Sequence, residues 1–179
     1  SAFPLTSAVS AAAETAIKQN TESILRFHKT GLGTLDLKEI SELENYTYLW
    51  NIDGKLWERE WIMDPRGFVS DGDGDKADED KLLHINELRL KATEPLNKFR
   101  DEFCGTAADM AAAAVRLLES CNAAEKLSEL AVTFKNDGNE FSSDVLKQSY
   151  DKYMKLLDSL AVCFGGREIS KQEFYEALT

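Results

Sequence analysis

The chain has 179 residues, 43% hydrophobic and 30% charged, enough apolar material to pack the core of one sizeable domain. Its formal net charge of −11 argues against a binder of nucleic acid or of an anionic membrane, because phosphates would be repelled. No apolar run reaches the roughly 18 residues a membrane-spanning helix needs, and the start "SAFPLTSAVSAAAETA" lacks the basic segment of an intact signal peptide.

Apolar residues recur with a period near 3.6 over most of the chain, which is the pattern of helices. The first helix is expected from about Ser7 to His28, with Val9, Ala13, Ala16, Ile17, Ile24 and Phe27 facing inward. Gly31 and Gly33 end it. His28 sits at its C-terminal end, where a cationic ring suits the helix dipole. Asp36 then fits an N-cap with Glu39 as its reciprocal partner. The second helix carries Leu37, Ile40 and Leu43 and runs to about Tyr48.

The stretch "FHKTGLGTLDLKEI" also resembles the calcium loop of the EF-hand family. Gly33, Leu35, Asp36 and Glu39 match loop positions 6, 8, 9 and 12. His28, Thr30 and Leu32 stand where ligands belong, so the resemblance implies poor calcium binding at most. A helix end, a short turn and a capped helix start explain the same residues better.

Residues 46–63 read two ways. Tyr46, Tyr48 and Trp50 alternate, "NIDG" marks a turn, and Trp57, Arg59 and Trp61 alternate again, as in a β-hairpin. Trp57 and Trp61 also share one face of a short helix, and Glu58, Arg59 and Glu60 favour that reading. All three tryptophans of the chain fall here. Trp and Tyr are enriched at binding hot spots, so Tyr46, Tyr48, Trp50, Trp57 and Trp61 are the candidate partner-binding residues. Packing of this region onto the core is the competing use.

"SDGDGDKADED", residues 70–80, holds six acidic residues in eleven. Counted from Asp71, an EF-hand loop finds Asp71, Asp73 and Asp75 in place but Lys76 where glycine belongs and Leu82 where the closing carboxylate belongs. Counted from Val69, it keeps Asp71, Asp73, Gly74 and Asp80 but fails at Val69 and Lys76. Asp71, Asp73, Asp75 and Asp80 are the candidate metal ligands, for calcium, and no other cofactor is expected. The alternative is a solvated turn whose Asp78, Glu79 and Asp80 favour the positive end of the next helix.

That third helix is expected from about Asp78 to Ala92, with Leu82, Ile85, Leu88 and Ala92 inward. His84 shares a face with Asp80 and Glu87, a set that suits surface ion pairs, Glu87–Lys91 first, better than a metal. Pro95 starts a new helix or kinks this one, and Leu96, Phe99 and Phe103 continue the apolar face. Thr106 with Asp109 opens an alanine-rich run led inward by Met110, Ala113, Ala114, Leu117 and Leu118. Asn122 with Glu125 marks a restart. After the loop at 135–144, Ser142 or Ser143 caps a helix carrying Val145, Leu146, Tyr153, Met154, Leu157 and Leu160. Gly165 and Gly166 stop it, and Ser170 with Glu173 opens the last helix. Cys104, Cys121 and Cys163 form no disulfide framework and no zinc motif; free thiols are expected, with a Cys104–Cys121 bridge as the alternative.

These elements sum to an all-α fold, an antiparallel helical bundle of six to eight helices, with one small β-hairpin near 46–62 as a variant. One domain over 1–179 is expected, with a seam at 64–78 between an N-terminal hairpin (1–63) and a larger C-terminal bundle (79–179). Chemistry is scarce: two histidines, no Gly-x-Ser-x-Gly and no phosphate-binding or dinucleotide glycine motif. The sequence therefore predicts no enzyme, but a helical interaction domain that binds a protein partner as an effector, inhibitor or secreted module. A calcium-binding helical protein is one alternative. A small-molecule binder with a pocket lined by Phe99, Phe103, Met110 and Met154 is another. Asn45-Tyr46-Thr47 is a glycosylation sequon that matters only in a secreted chain, and the compartment stays open.

Overall fold

The computed structural model describes residues 4–67 and 76–179. Among them are eight α-helices: α1 (Pro4–Lys18), α2 (Thr21–Phe27), α3 (Leu37–Leu49), α4 (Lys76–Glu102), α5 (Ala107–Ser120), α6 (Ala123–Asn136), α7 (Glu140–Phe164) and α8 (Lys171–Leu178). A π-turn (His28–Leu32) follows α2, and a 3-10 turn (Gly54–Glu58) lies between α3 and α4. The all-α expectation holds. The β-hairpin does not: Tyr46 and Tyr48 close α3, and among the described residues there is no strand. The expected seam at 64–78 falls largely on residues outside the described ones.

Local chemistry sets the helix starts. Asp36, Thr106 and Ser170 each accept from the backbone N–H three residues on and receive the reciprocal carboxylate of Glu39, Asp109 and Glu173. The first helix differs from expectation. It breaks at Gln19, whose φ of 46° is left-handed, and Asn20 caps α2 by accepting from Ser23 N–H. Asn122, with φ 54°, separates α5 from α6 in the same way. Asn139, and not Ser142 or Ser143, caps α7. Ser143 points into the core.

α1 is the inner element. It packs against α2, α4, α7 and α8. Ala11, Ala12 and Ala13 lie about 100° apart around the helix, yet all are 0% exposed, so α1 is covered on three sides. Alanine there lets neighbouring backbones come close. The buried apolar residues form one cluster that runs from Leu5 to Leu178. Phe99 stacks on Phe103 at 4.6 Å, and Phe103 meets Phe174 edge-on at 5.3 Å. Of the residues expected to line a small-molecule pocket, Phe99, Phe103 and Met110 are buried in this cluster and Met154 is partly buried against it.

Pro95 neither ends nor starts a helix; it lies inside α4. Proline has no N–H, so the Lys91 carbonyl four residues earlier loses its helical donor. The turn after α2 answers this. The Thr34 hydroxyl donates to Lys91 O at 2.8 Å, and His28 Nε2–H donates to Ala92 O at 3.0 Å. Lys126 of α6 donates to the Gly33 carbonyl of the same turn. Three elements therefore meet at one proline.

His28 is 0% exposed, and burial, with Lys126 and Lys91 nearby, pulls its pKa from 6.5 to about 4. The ring is neutral at physiological pH, so the expected cationic ring at a helix end is corrected. The partner is a carbonyl of α4, not the helix dipole.

Candidate functional site

Between α3 and α4 the described residues carry the three tryptophans but only one turn of regular structure. Their backbone polar groups need partners from elsewhere, and α4 supplies them. Trp61 N–H donates to Asn86 Oδ1 at 2.9 Å, and Asn86 Nδ2 donates back to Trp61 O at 2.8 Å. Arg89 Nη1 donates to Trp57 O at 3.0 Å, and its Nε to Asn86 Oδ1 at 3.2 Å. The guanidinium carbon lies 5.9 Å from the Trp61 ring centroid.

The rings close on one another. Tyr46 stacks on Trp61 at 5.0 Å, and Trp57 meets Trp61 edge-on at 5.1 Å. Each polar tip has a partner. Trp57 Nε1 donates to Thr21 Oγ1 at 2.8 Å, Trp61 Nε1 to Leu56 O at 2.8 Å, Trp50 Nε1 to Asp64 O at 3.1 Å and the Tyr46 hydroxyl to Met63 O at 2.9 Å. Thr21 in turn donates its backbone N–H to Asp53 at 2.8 Å, which ties the segment to the start of α2. Burial raises the Tyr46 pKa and lowers that of Arg89, the latter opposed by Glu60.

Of the candidate partner-binding residues, Tyr46, Trp57 and Trp61 are therefore inside the molecule, 3%, 1% and 2% exposed. Trp50 is half-buried. Tyr48 alone stands out at 89% exposed, on the rim of an open cleft of about 730 Å³ lined also by Leu25, Lys29, Asn51 and Ile52. A second cleft, about 380 Å³, lies between α3 and α4 and is lined by Glu42, Asn45, Leu49, Lys81 and His84. Asn86 and Arg89, which organise the whole cluster, were not singled out from sequence. Their signal is there: both fall within the inward stripe of Leu82, Ile85, Leu88 and Ala92, where a polar side chain must find a partner.

Asp71, Asp73 and Asp75 lie outside the described residues; Asp80 is exposed on α4. Among the described residues no cluster of three His, Cys, Asp or Glu side chains is placed to hold a metal ion. Asp78 pairs with Arg66 at 3.0 Å, and Arg66 with Asp64 at 3.1 Å. The Glu87–Lys91 pair does not form, because Lys91 reaches across to Glu39 of α3 at 2.6 Å; His84 likewise meets Glu42 at 2.8 Å. The three cysteines are free, with Cys121 buried and Cys104 and Cys163 exposed, so the Cys104–Cys121 bridge is not made. Among the described residues no helix is long and apolar enough to cross a membrane.

No family model matches the chain. It is similar to proteins named as one subunit of an ATP-dependent helicase/deoxyribonuclease. That of Clostridium novyi is 29% identical over 161 residues, which are 88% of this chain and 13% of the relative. That of Clostridium botulinum strain Loch Maree is 29% identical over 166 residues, and that of Desulforamulus reducens 26% over 162, each 88% of this chain and 14% of the relative. The chain thus spans about 13% of the length of the curated relatives it matches. These names overturn two expectations. A non-enzymatic partner-binding module, and with it the absence of any enzyme, gives way to likeness with a component of a DNA-processing enzyme.

Proposed function

We propose that the chain is one helical segment of a longer DNA-processing protein of the helicase/deoxyribonuclease kind. The observation that carries this reading is the alignment over 88% of the chain with relatives of that name from three genera. ATP use and DNA cleavage then belong to the longer polypeptide and the complex it enters. This segment's part is to hold a fixed shape within it. The buried Asn86–Arg89 arrangement supports that part, because it fixes a loop of irregular backbone onto a 27-residue helix. The partners are a companion polypeptide of the complex and, for the whole protein, DNA. The net charge of −11 supports gripping of DNA phosphates outside this segment. The compartment is the one that holds the cell's DNA.

The test uses the full-length protein, purified from its source with the polypeptides that accompany it. It should hydrolyse ATP when DNA is added and shorten linear duplex DNA in an ATP-dependent way. Arg89→Met should lower both activities by loosening the 50–64 segment. A complex that neither hydrolyses ATP with DNA nor degrades DNA sinks the reading.

A further inference from the structure

One row of α4 faces solvent along the helix. Asp80, Leu83, Glu87, Leu90, Glu94 and Asp101 fall at steps of three, four or seven, which keeps them within one narrow arc. Leu83 is 60% exposed and Leu90 55%, and the four acids are exposed too. The spacing is that of a helix–helix contact seam, with carboxylates at one seam position and leucines at the other. Two basic side chains beside the leucines on α4 are used elsewhere, since His84 and Lys91 turn to Glu42 and Glu39 of α3, while at the far end Arg100 pairs with Asp101 at 3.6 Å. Among the described residues Asp80, Glu87 and Glu94 make no ion pair.

We infer that this row docks a lysine-bearing amphipathic helix from elsewhere in the same longer polypeptide. The inference rests on the functional reading above. Two arguments choose the occupant. Unpaired carboxylates spaced between leucines complement a helix that presents lysines between apolar residues, and they repel an acidic one. The chain also spans only about 13% of its relatives, so most of such a polypeptide lies outside it.

Zero-length carbodiimide coupling of the native full-length protein, followed by peptide mapping, tests this. Amide links are expected from Glu87 or Glu94 to lysines of the same polypeptide outside these residues. Leu83→Lys with Leu90→Lys should cut those links about tenfold, because it replaces apolar contacts with charge of the same sign as the partner's lysines. Both leucines are exposed, so the melting curve should hold and separate lost docking from lost folding. Absence of links, links only to lysines within residues 1–179, links to another polypeptide, or links unchanged in the leucine variant would each overturn the docking. DNA-stimulated ATP hydrolysis, measured on the same preparation, distinguishes the two failures. Activity without links overturns the docking alone, and links without activity overturn the functional reading alone.

Discussion

At the scale of the residue, Asn86 does most with least. One amide satisfies both backbone polar groups of Trp61. Asn86→Leu strands both in a buried setting, where each unsatisfied group costs about 1–3 kcal/mol. Urea unfolding should therefore show a loss of about 2–4 kcal/mol, and Arg89→Met, which keeps the stem but not the donors, about 2 kcal/mol. Wild-type stability in both would mean that these bonds do not form in solution. His28 makes a prediction of opposite kind, since it concerns a proton that is kept away. Its folded pKa of about 4 lies below the ordinary 6.5, so the unfolded chain takes up the proton first. Its contribution to stability is full above about pH 6.5 and is lost as pH falls towards 4, roughly 3 kcal/mol in all. His28→Gln keeps an N–H donor without a titrating ring. Its stability should fall less than that of the wild type between pH 7 and pH 4.5; parallel curves would refute the assignment.

At the scale of the element, the π-turn and α4 depend on one another. A Cβ on Gly33 would come within 2.3 Å of His28 Nδ1 and 2.9 Å of its Cα, whereas one on Gly31 would meet nothing but pay for φ 78°. Gly33→Ala should cost about 2 kcal/mol or more and Gly31→Ala about 1 kcal/mol, read from thermal unfolding. Thr34→Val should cost about 1 kcal/mol in the wild type and almost nothing in Pro95→Ala, where Lys91 O regains its helical donor. Additive costs in that double-mutant cycle would separate the turn from the proline. This scale also shows what a sequence reveals. The caps at Asp36, Thr106 and Ser170 were legible because cap and partner are three residues apart. The fate of Trp57 and Trp61 was not, because it is decided by Arg89 and Asn86, 32 and 25 residues away. Alternation and helical spacing in that segment were both present, and neither governs it. The break at Gln19 was missed because the apolar period runs on across it.

At the scale of the whole molecule, α1 limits what the fold tolerates. Ala12→Leu adds volume to a helix covered on three sides and should cost about 1–3 kcal/mol, while Ala108→Leu, at an exposed position of α5, should stay within about 0.5 kcal/mol, compared by urea midpoint. Function was least legible at this scale. Charge read over these 179 residues argued against nucleic acid, yet the similar proteins are named for acting on DNA and are several times longer. A segment's charge describes its own surface and not the surfaces joined to it.

The distance between the aromatic residues and their anchors also has a consequence in time. During synthesis Trp57 emerges 32 residues ahead of Arg89, a lag of roughly 2–6 s at ordinary rates of chain growth. For that interval three tryptophans and Tyr46 stand outside the ribosome without α4 to fold onto, and a nascent chain whose emerged part ends between residues 64 and 86 presents them to the first chaperone that passes.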